Sequence, residues 1–346
     1  MSNTYIIGEI GQNHNGSLDL AKLLIDFAAR PVLDKLFGEK LKGMNAVKLT
    51  KRDLKQELAV SQMNRPYNSP HSFGKTYGEH REYLELSDSE HFELYKYAKN
   101  LDLDFVETFC AIGTLSLLKL FLPDKIKVAS RDLTNLPLLD SLAEVGIPII
   151  LSTGMSGKRE LDDALNVITK HHSNISILHC VSEYPTQPIN VNLNTLKYLK
   201  DTYKDYVIGY SDHTIGIATP LAAVAMGAKI IEKHITINRD MKGTDQAGSL
   251  AIDGMERLVR DIRNLELSLG EEEIFICSNV SLAKEKLERS IATIRELNEN
   301  HVLTENDIHL LSPGDGYKWA ERNLILGKKL VNKIPANEII YNTHLE

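Results

Sequence analysis

Ile208-Gly-Tyr-Ser-Asp-His213 and Ile230-Ile-Glu-Lys-His234 are two apolar, strand-like runs that each end abruptly in ionisable side chains. Between them, residues 214–228 (TIGIATPLAAVAMGA) form a small-residue apolar segment of helical length. Strand, helix, strand is the grammar of a parallel sheet. In such a unit His213 and His234 occupy the carboxyl ends of near-neighbour strands, where one divalent ion can be shared between them.

The same unit recurs along the chain. Further strands are expected at 5–10, 45–50, 104–109, 126–129, 147–151 and 175–180. Ser17 is a plausible N-cap for an amphipathic helix over 18–37, and further helices are expected at 89–99, 136–145, 159–170, 194–203 and 253–269. A polar insert, 51–88, is long enough to read as functional or mobile. Eight strand–helix repeats over 1–270 predict an α/β fold, a (β/α)8 TIM barrel. A doubly wound open sheet is the alternative, but Gly11-Gln-Asn-His-Asn-Gly16 after the first strand is not its phosphate-binding fingerprint. The Gly74-Lys-Thr76 triplet is no P-loop either, because Ser69 stands where the first glycine belongs.

After Gly270 the texture changes. Residues 271–286 read as a charged linker with some helix, and 287–346 as a small β-rich domain. That domain should hold a strand at 290–294, a capped helical turn at 304–308, a turn at 313–316 and a second strand-then-turn at 333–340. A unit of about 60 residues has a marginal core, so it is expected to lean on another surface.

Charged residues make up 25% of the 346 and hydrophobic ones 42%, which allows a sizeable core. A net charge of −7 argues against nucleic acid or an anionic membrane as partner. Cys110, Cys180 and Cys277 are odd in number and far apart, as expected of a reduced, cytoplasmic protein. The first residues carry no signal-peptide pattern, and no apolar run is long enough for a membrane helix.

In a barrel, side chains at the carboxyl ends of the strands converge on one mouth. Those ends supply Glu9, Lys48, Glu107 with Thr108, Lys127 with Ser130, Ser152 with Thr153, Ser182 with Tyr184, Ser211 with Asp212 and His213, and Glu232 with His234. Buried charges without partners are costly. A ring of structural salt bridges explains any one of them as readily as function does, but explains the whole set poorly. Lys48 and Lys127 with Thr108 and Ser130 make an anion pocket for phosphate or carboxylate. His213 and His234 suit Mn, Co, Fe or Zn, with water or substrate oxygens completing the shell. Glu9 is a general base, a partner of metal-bound water, or an anchor for Lys48. His179 lies inside its strand and reads as structural.

The chain resembles the N-acetylneuraminate (sialic acid) synthase family from about residue 5 to residue 338. The resemblance rests on GEIGQNHNG (8–16), GKTYGEHR (74–81), LSTGMS (151–156), HCVSEYPT (179–186), IGYSDHTIGIA (208–218), EKHIT (232–236) and KGTDQAGSL (242–250). The tail resembles the antifreeze-like domain of these enzymes at Pro313-Gly-Asp-Gly316 and Leu326-Gly-Lys-Lys329. The resemblance implies a metal-dependent condensation of phosphoenolpyruvate with an N-acylated amino-hexose, with release of phosphate. It implies that Lys48, Thr108, Lys127, Ser130, Ser182 and Ser211 bind phosphoenolpyruvate. Tyr184 and Asp245, with Asp132 as a further contact, would take the acceptor. Glu9, Lys48, Lys127 and Asp245 form the implied catalytic group. His213 and His234 would hold a divalent ion, Mn2+ first, with Mg2+ and Co2+ as alternatives. The implied assembly is a homodimer in which two chains exchange tail domains.

Three positions depart from the family pattern. Lys48-Leu-Thr50 stands where Lys-Phe-Gln is common, Ala129-Ser-Arg-Asp132 brings the extra charge of Arg131, and Ser312 stands where some bacterial members place an arginine. The GKTYGEHR insert is shared with animal enzymes that take 6-phosphorylated sugars, so N-acetylmannosamine, its 6-phosphate and related sugars are all open as acceptor. Two other readings remain. One is a Schiff-base sugar aldolase using Lys48, Lys127 or Lys233; the other is a non-catalytic sugar-binding protein.

Overall fold

Period-two patterning closes the sheet. The computed structural model describes residues 3–35 and 37–346, which divide into two units, Met1–Gly270 and Glu271–Glu346. In the first, eight strands, Tyr5–Gly11 (β1), Ala46–Lys51 (β2), Asp104–Phe109 (β3), Lys125–Val128 (β4), Ile149–Ser152 (β5), Ile175–Cys180 (β6), Val207–Asp212 (β7) and Ile230–His234 (β8), form a closed parallel barrel. Alternate residues such as Ile6, Val47, Phe105 and Ile231 face outward into the core shared with the helices. The inward set has an apolar layer of Ile7, Ala46, Val106, Ile150, Leu178 and Ile230. Two residues further along those strands come Glu9, Lys48, Thr108, Ser152, Cys180 and Glu232. One strand period therefore separates a packed hydrophobic plug from a polar mouth.

The expected helix over 18–37 ends early. It spans Leu18–Ala29, capped by the Ser17 side chain, because Pro31 forces Arg30 into an extended conformation (φ −57°, ψ 125°). A short hairpin of Val32–Asp34 and Glu39–Leu41 follows instead. The segment expected as a helix over 214–228 is helical only at Ala218–Ala225, bounded by Gly216 and Gly227 at φ +85° and +95°. A 3-10 run at Ile112–Lys119, not expected, connects β3 to β4. The polar insert carries three short helices, Leu54–Glu57, Val60–Met63 and Tyr77–Tyr83. Among the described residues no helix is long and apolar enough to cross a membrane.

The second unit pairs Ser290–Thr293 (β9) with Ile308–Leu311 (β10) in antiparallel fashion. Its core is Ile291, Leu297, Leu303, Ile308, Ile325, Leu330, Ile334 and Ile340. The capped turn is present at Glu305–Asp307, with Thr304 as cap. The strand expected within 333–340 is reduced to single bridges, Leu297 with Ile334 and Ala292 with Ile339. β10 was not expected from the sequence.

Candidate active site

A cavity of about 670 Å³ opens at the carboxyl end of the barrel. Glu9, Lys48, Thr108, Lys127, Ser130, Ser182, Tyr184, Ser211, His213, His234 and Asp245 all line it. Asp132 does not: it lines an adjoining cavity of about 360 Å³ with Gln56, Glu57 and Asn135. Glu107 is also absent from the mouth. The strand pleat turns it outward, where its carboxylate meets buried His91 at 3.0 Å.

Both lysines are buried and share one carboxylate. Lys48 Nζ lies 2.9 Å from Glu9 and 3.6 Å from Glu232, and Lys127 Nζ lies 3.6 Å from Glu232. The Glu9 contact is an ion pair off the hydrogen-bond direction. Ser211 donates a hydrogen bond of 2.8 Å to Glu232. Burial pushes the Glu9 carboxyl up to about 7, and the neighbouring Glu232 charge adds to this against the pull of Lys48. Burial also raises Glu232, but Lys127, Lys48 and the Ser211 hydroxyl outweigh it and hold that carboxyl down at about 2. Lys48 moves upward because Glu232 and Glu9 overcome the effect of burial. Lys127 moves downward, pushed by burial and by the Lys48 charge. With Glu232 ionised, the four groups carry about one net positive charge while Glu9 holds its proton, which suits an incoming anion, and none in the state where Glu9 is free to accept a proton.

Gly154, at the turn after β5, sits against this cluster. Its N–H donates to the Ser130 hydroxyl at 3.0 Å, and a Cβ there would meet Ser182 Oγ at 2.5 Å, Ser130 Oγ at 2.8 Å and Cys180 Sγ at 2.9 Å.

The His213 and His234 rings have centres 5.5 Å apart. His213 Nδ1 lies 2.8 Å from the Val181 carbonyl, which only accepts, so Nδ1 is the donor and Nε2 is the ring nitrogen left for a ligand. Among the described residues His234 Nδ1 is buried with no hydrogen-bond partner, and burial pushes that imidazole towards its neutral form. Two imidazoles, each with a ring nitrogen uncommitted to a carbonyl, fit a divalent ion. Among the described residues no third His, Cys, Asp or Glu ligand joins them. The group of three that does cluster, Asp140, Glu144 and His171, is exposed. An ion at the histidine pair would therefore keep positions open for water or substrate oxygens. The Tyr184 ring lies 4.0 Å from that of His213 and 5.9 Å from that of His234.

The sequence pattern of the NeuB family matches residues 39–274, and that of the SAF domain matches residues 288–346. This chain belongs to the NeuB family. The N-acetylneuraminate-9-phosphate synthase of Homo sapiens is 33% identical over 338 residues, 97% of this chain and 91% of that protein. The N,N'-diacetyllegionaminic acid synthase of Legionella pneumophila is 33% identical over 347 residues, 99% of this chain and 94% of that protein. Among solved structures, the N-acetylneuraminic acid (sialic acid) synthetase of Leptospira borgpetersenii, crystallised with citrate, is 32% identical. The match has a TM-score of 0.66 and covers 82% of this chain and 90% of that one. This NeuB-family chain is accordingly an enzyme, a phosphoenolpyruvate-dependent condensing synthase of the sialic acid type.

Several residues of the NeuB-family mouth carried no role in the sequence reading. Arg52, His71 and Arg81 reach it from the polar insert, Gln12 from the loop after β1 and Thr244 from the loop after β8. Loops have no periodicity to announce which side chains turn inward. Ser152 and Glu232 were visible as strand ends, but the link from Glu232 on β8 to Lys127 on β4 crosses the barrel and leaves no trace in sequence spacing. Arg52, Arg81 and Arg131 border both cavities. Arg52 and Arg131 share Glu57, at 3.1 and 3.3 Å, whereas Arg81 contacts the neutral Gln12 and Tyr77.

Proposed function

We propose that the chain condenses phosphoenolpyruvate with an open-chain N-acylated hexose to give a nonulosonic acid and phosphate, with a divalent ion held by His213 and His234. The observation that carries this reading is the pair of buried ammonium groups, Lys48 and Lys127, beside two imidazoles, His213 and His234, in a single cavity. Lys48, Lys127, Thr108, Ser130, Ser182 and Ser211 take the phosphate and carboxylate of phosphoenolpyruvate, competing with Glu232 for the two ammonium groups. Tyr184 and Asp245 take the acceptor. A bound Mn2+, Mg2+ or Co2+ would polarise the acceptor's aldehyde.

The new bond joins C3 of phosphoenolpyruvate to the aldehyde carbon, and the aldehyde oxygen takes a proton to become a hydroxyl. The cation left at C2 forms beside Glu232 and Glu9, whose carboxylates offset its charge. Water adds at C2 and gives its proton to Glu9, a carboxyl poised near neutral pH for that task. The C2–O bond to phosphate then breaks as the new C2 hydroxyl passes its proton to the departing phosphate, leaving the 2-keto acid. The proton held on Glu9 makes good the one taken by the aldehyde oxygen. The acceptors consistent with the relatives' names are N-acetylmannosamine, its 6-phosphate and a diacetamido-hexose. Exchange of tails within a homodimer belongs to the same reading. The exposed run Ile274, Phe275 and Ile276 in the connecting segment supports a partner surface, and the solution mass tests it.

The deciding experiment is phosphate release from phosphoenolpyruvate across that acceptor panel, with EDTA and with Mn2+ added back. Acceptor-dependent release, lost with EDTA and restored by metal, is expected. No release with any N-acylated hexose overturns the reading. Lys127, whose amine burial pushes down, keeps the imine chemistry open to a direct check. Borohydride with pyruvate should leave the chain unmodified, and covalent trapping would favour the aldolase.

A further inference from the structure

Lys233 and Asp212 are buried and opposite in charge; Lys233 lies outside the cavity lining, which Asp212 borders. They are register partners on β8 and β7, each one residue before a histidine of the mouth. Strand alternation turns them to the outer face while His213 and His234 turn inward. Lys233 Nζ donates to Asp212 Oδ2 at 2.6 Å and also to the Thr214 carbonyl. Asp212 further accepts from the Thr214 N–H at 2.9 Å, the Thr214 hydroxyl at 3.2 Å and the Tyr210 hydroxyl at 3.0 Å. The residues on both sides of His213 are thus tied to the residue that precedes His234.

A buried ion pair is weak grounds for stability, since apolar side chains of similar volume often do as well. What this one supplies is geometry. His213 has the Val181 carbonyl to orient its ring, but His234 Nδ1 has no such partner among the described residues. The placement of His234 relative to His213 therefore depends on how the two strand ends are held.

We propose that Lys233 and Asp212, with Tyr210, are positioning residues that fix the separation of the two histidines for a divalent ion. The inference rests on the proposed metal reading. It also removes Lys233 from the imine candidates, because its amine is committed to Asp212 and Thr214.

The test is Mn2+ affinity of the full chain, read as free Mn2+ by electron paramagnetic resonance without substrate. Four variants are compared: D212N/K233M, Y210F, H213A and H234A. The double variant removes both charges together and leaves no lone buried ion. It should fold with the wild-type circular dichroism spectrum and bind Mn2+ at least about tenfold more weakly. Y210F should weaken binding by about threefold. A folded double variant with wild-type affinity overturns the proposal. Should the double variant not fold, Y210F decides: wild-type affinity there overturns it equally. Wild-type protein that takes up no Mn2+, or whose uptake is indifferent to H213A and H234A, overturns the metal reading itself, a different outcome from either of these.

Discussion

The Lys48 ammonium lies 2.9 Å from Glu9 and 3.6 Å from Glu232, so a cation on β2 bridges carboxylates on β1 and β8. The two carboxyls respond in opposite directions, Glu9 up to about 7 and Glu232 down to about 2, because Lys127 flanks only the second closely. Two carboxyls pushed apart by their surroundings is how one site holds a proton acceptor and a fixed countercharge together. Glu9→Gln keeps the shape and removes the proton acceptor. Its kcat should fall by about 100-fold or more, with the dissociation constant for phosphoenolpyruvate within about threefold of wild type. Calorimetric titration beside steady-state kinetics measures both. A change confined to binding would make Glu9 an anchor for Lys48 instead.

Gly154→Ala puts a methyl group where Ser182, Ser130 and Cys180 leave no room, with contacts of 2.5 to 2.9 Å. Relief must come from the side chains that shape the proposed anion pocket. KM for phosphoenolpyruvate should rise by about tenfold, with a cost of about 1–3 kcal/mol in stability. Wild-type KM in a folded variant would place the substrate's anionic groups elsewhere.

The barrel was legible because period-two and helical patterning repeat eight times with the same punctuation. β3, β6 and β8 begin and end where the alternation says they should. The errors fall where one local residue overrides periodicity. Pro31 stops the first helix eight residues before the apolar pattern fades, and Gly216 and Gly227 trim the helix between the two histidine strands. At the mouth, the residues found by counting to strand ends line the cavity with two exceptions, Glu107 and Thr153, because the pleat dictates which of them point inward. The same pleat explains Glu107, one residue out of phase with Thr108 and therefore turned towards His91. Arg52, Arg81 and His71 had no comparable signal, since their inward turn depends on tertiary packing of the insert.

Arg131 is the departure from the family pattern whose consequence is most direct. Its guanidinium contacts Asp132 at 3.1 Å, Glu57 at 3.3 Å and Cys110 Sγ at 2.7 Å, on the border between the two cavities. Lys48 and Lys127 have other partners, Glu9, Glu232, Thr108 and the Val128 carbonyl, none of which Arg131 contacts. Arg131→Ala should therefore raise KM for the acceptor by about tenfold while KM for phosphoenolpyruvate stays within about twofold. Equal changes in both constants would mean that the second cavity does not extend the acceptor site.

The tail offers a prediction independent of catalysis. Asp307 is buried and accepts from Arg295 at 2.7 Å, from the Thr304 hydroxyl at 2.7 Å and from the Thr304 N–H at 3.0 Å, with His301 at 2.9 Å. Burial raises its carboxyl, but the partners outweigh that and hold it well below the usual carboxylate range. A carboxyl lowered in the folded state stabilises it above its unfolded value of about 3.9, and the contribution is lost as pH falls below that. Asp307→Asn, losing the charge and part of the cap, should cost about 2 kcal/mol at pH 7. The chain's single tryptophan, Trp319, lies in the same unit, so its emission in urea reports the tail while far-ultraviolet circular dichroism follows mainly the barrel. The emission midpoint of Asp307→Asn should fall below wild type at pH 7, and the gap should narrow as pH drops below about 4, because the wild-type carboxylate then loses its advantage. A gap that stays constant down to pH of about 3 would show that the Asp307 charge contributes nothing, leaving only its shape and hydrogen bonds to account for the difference.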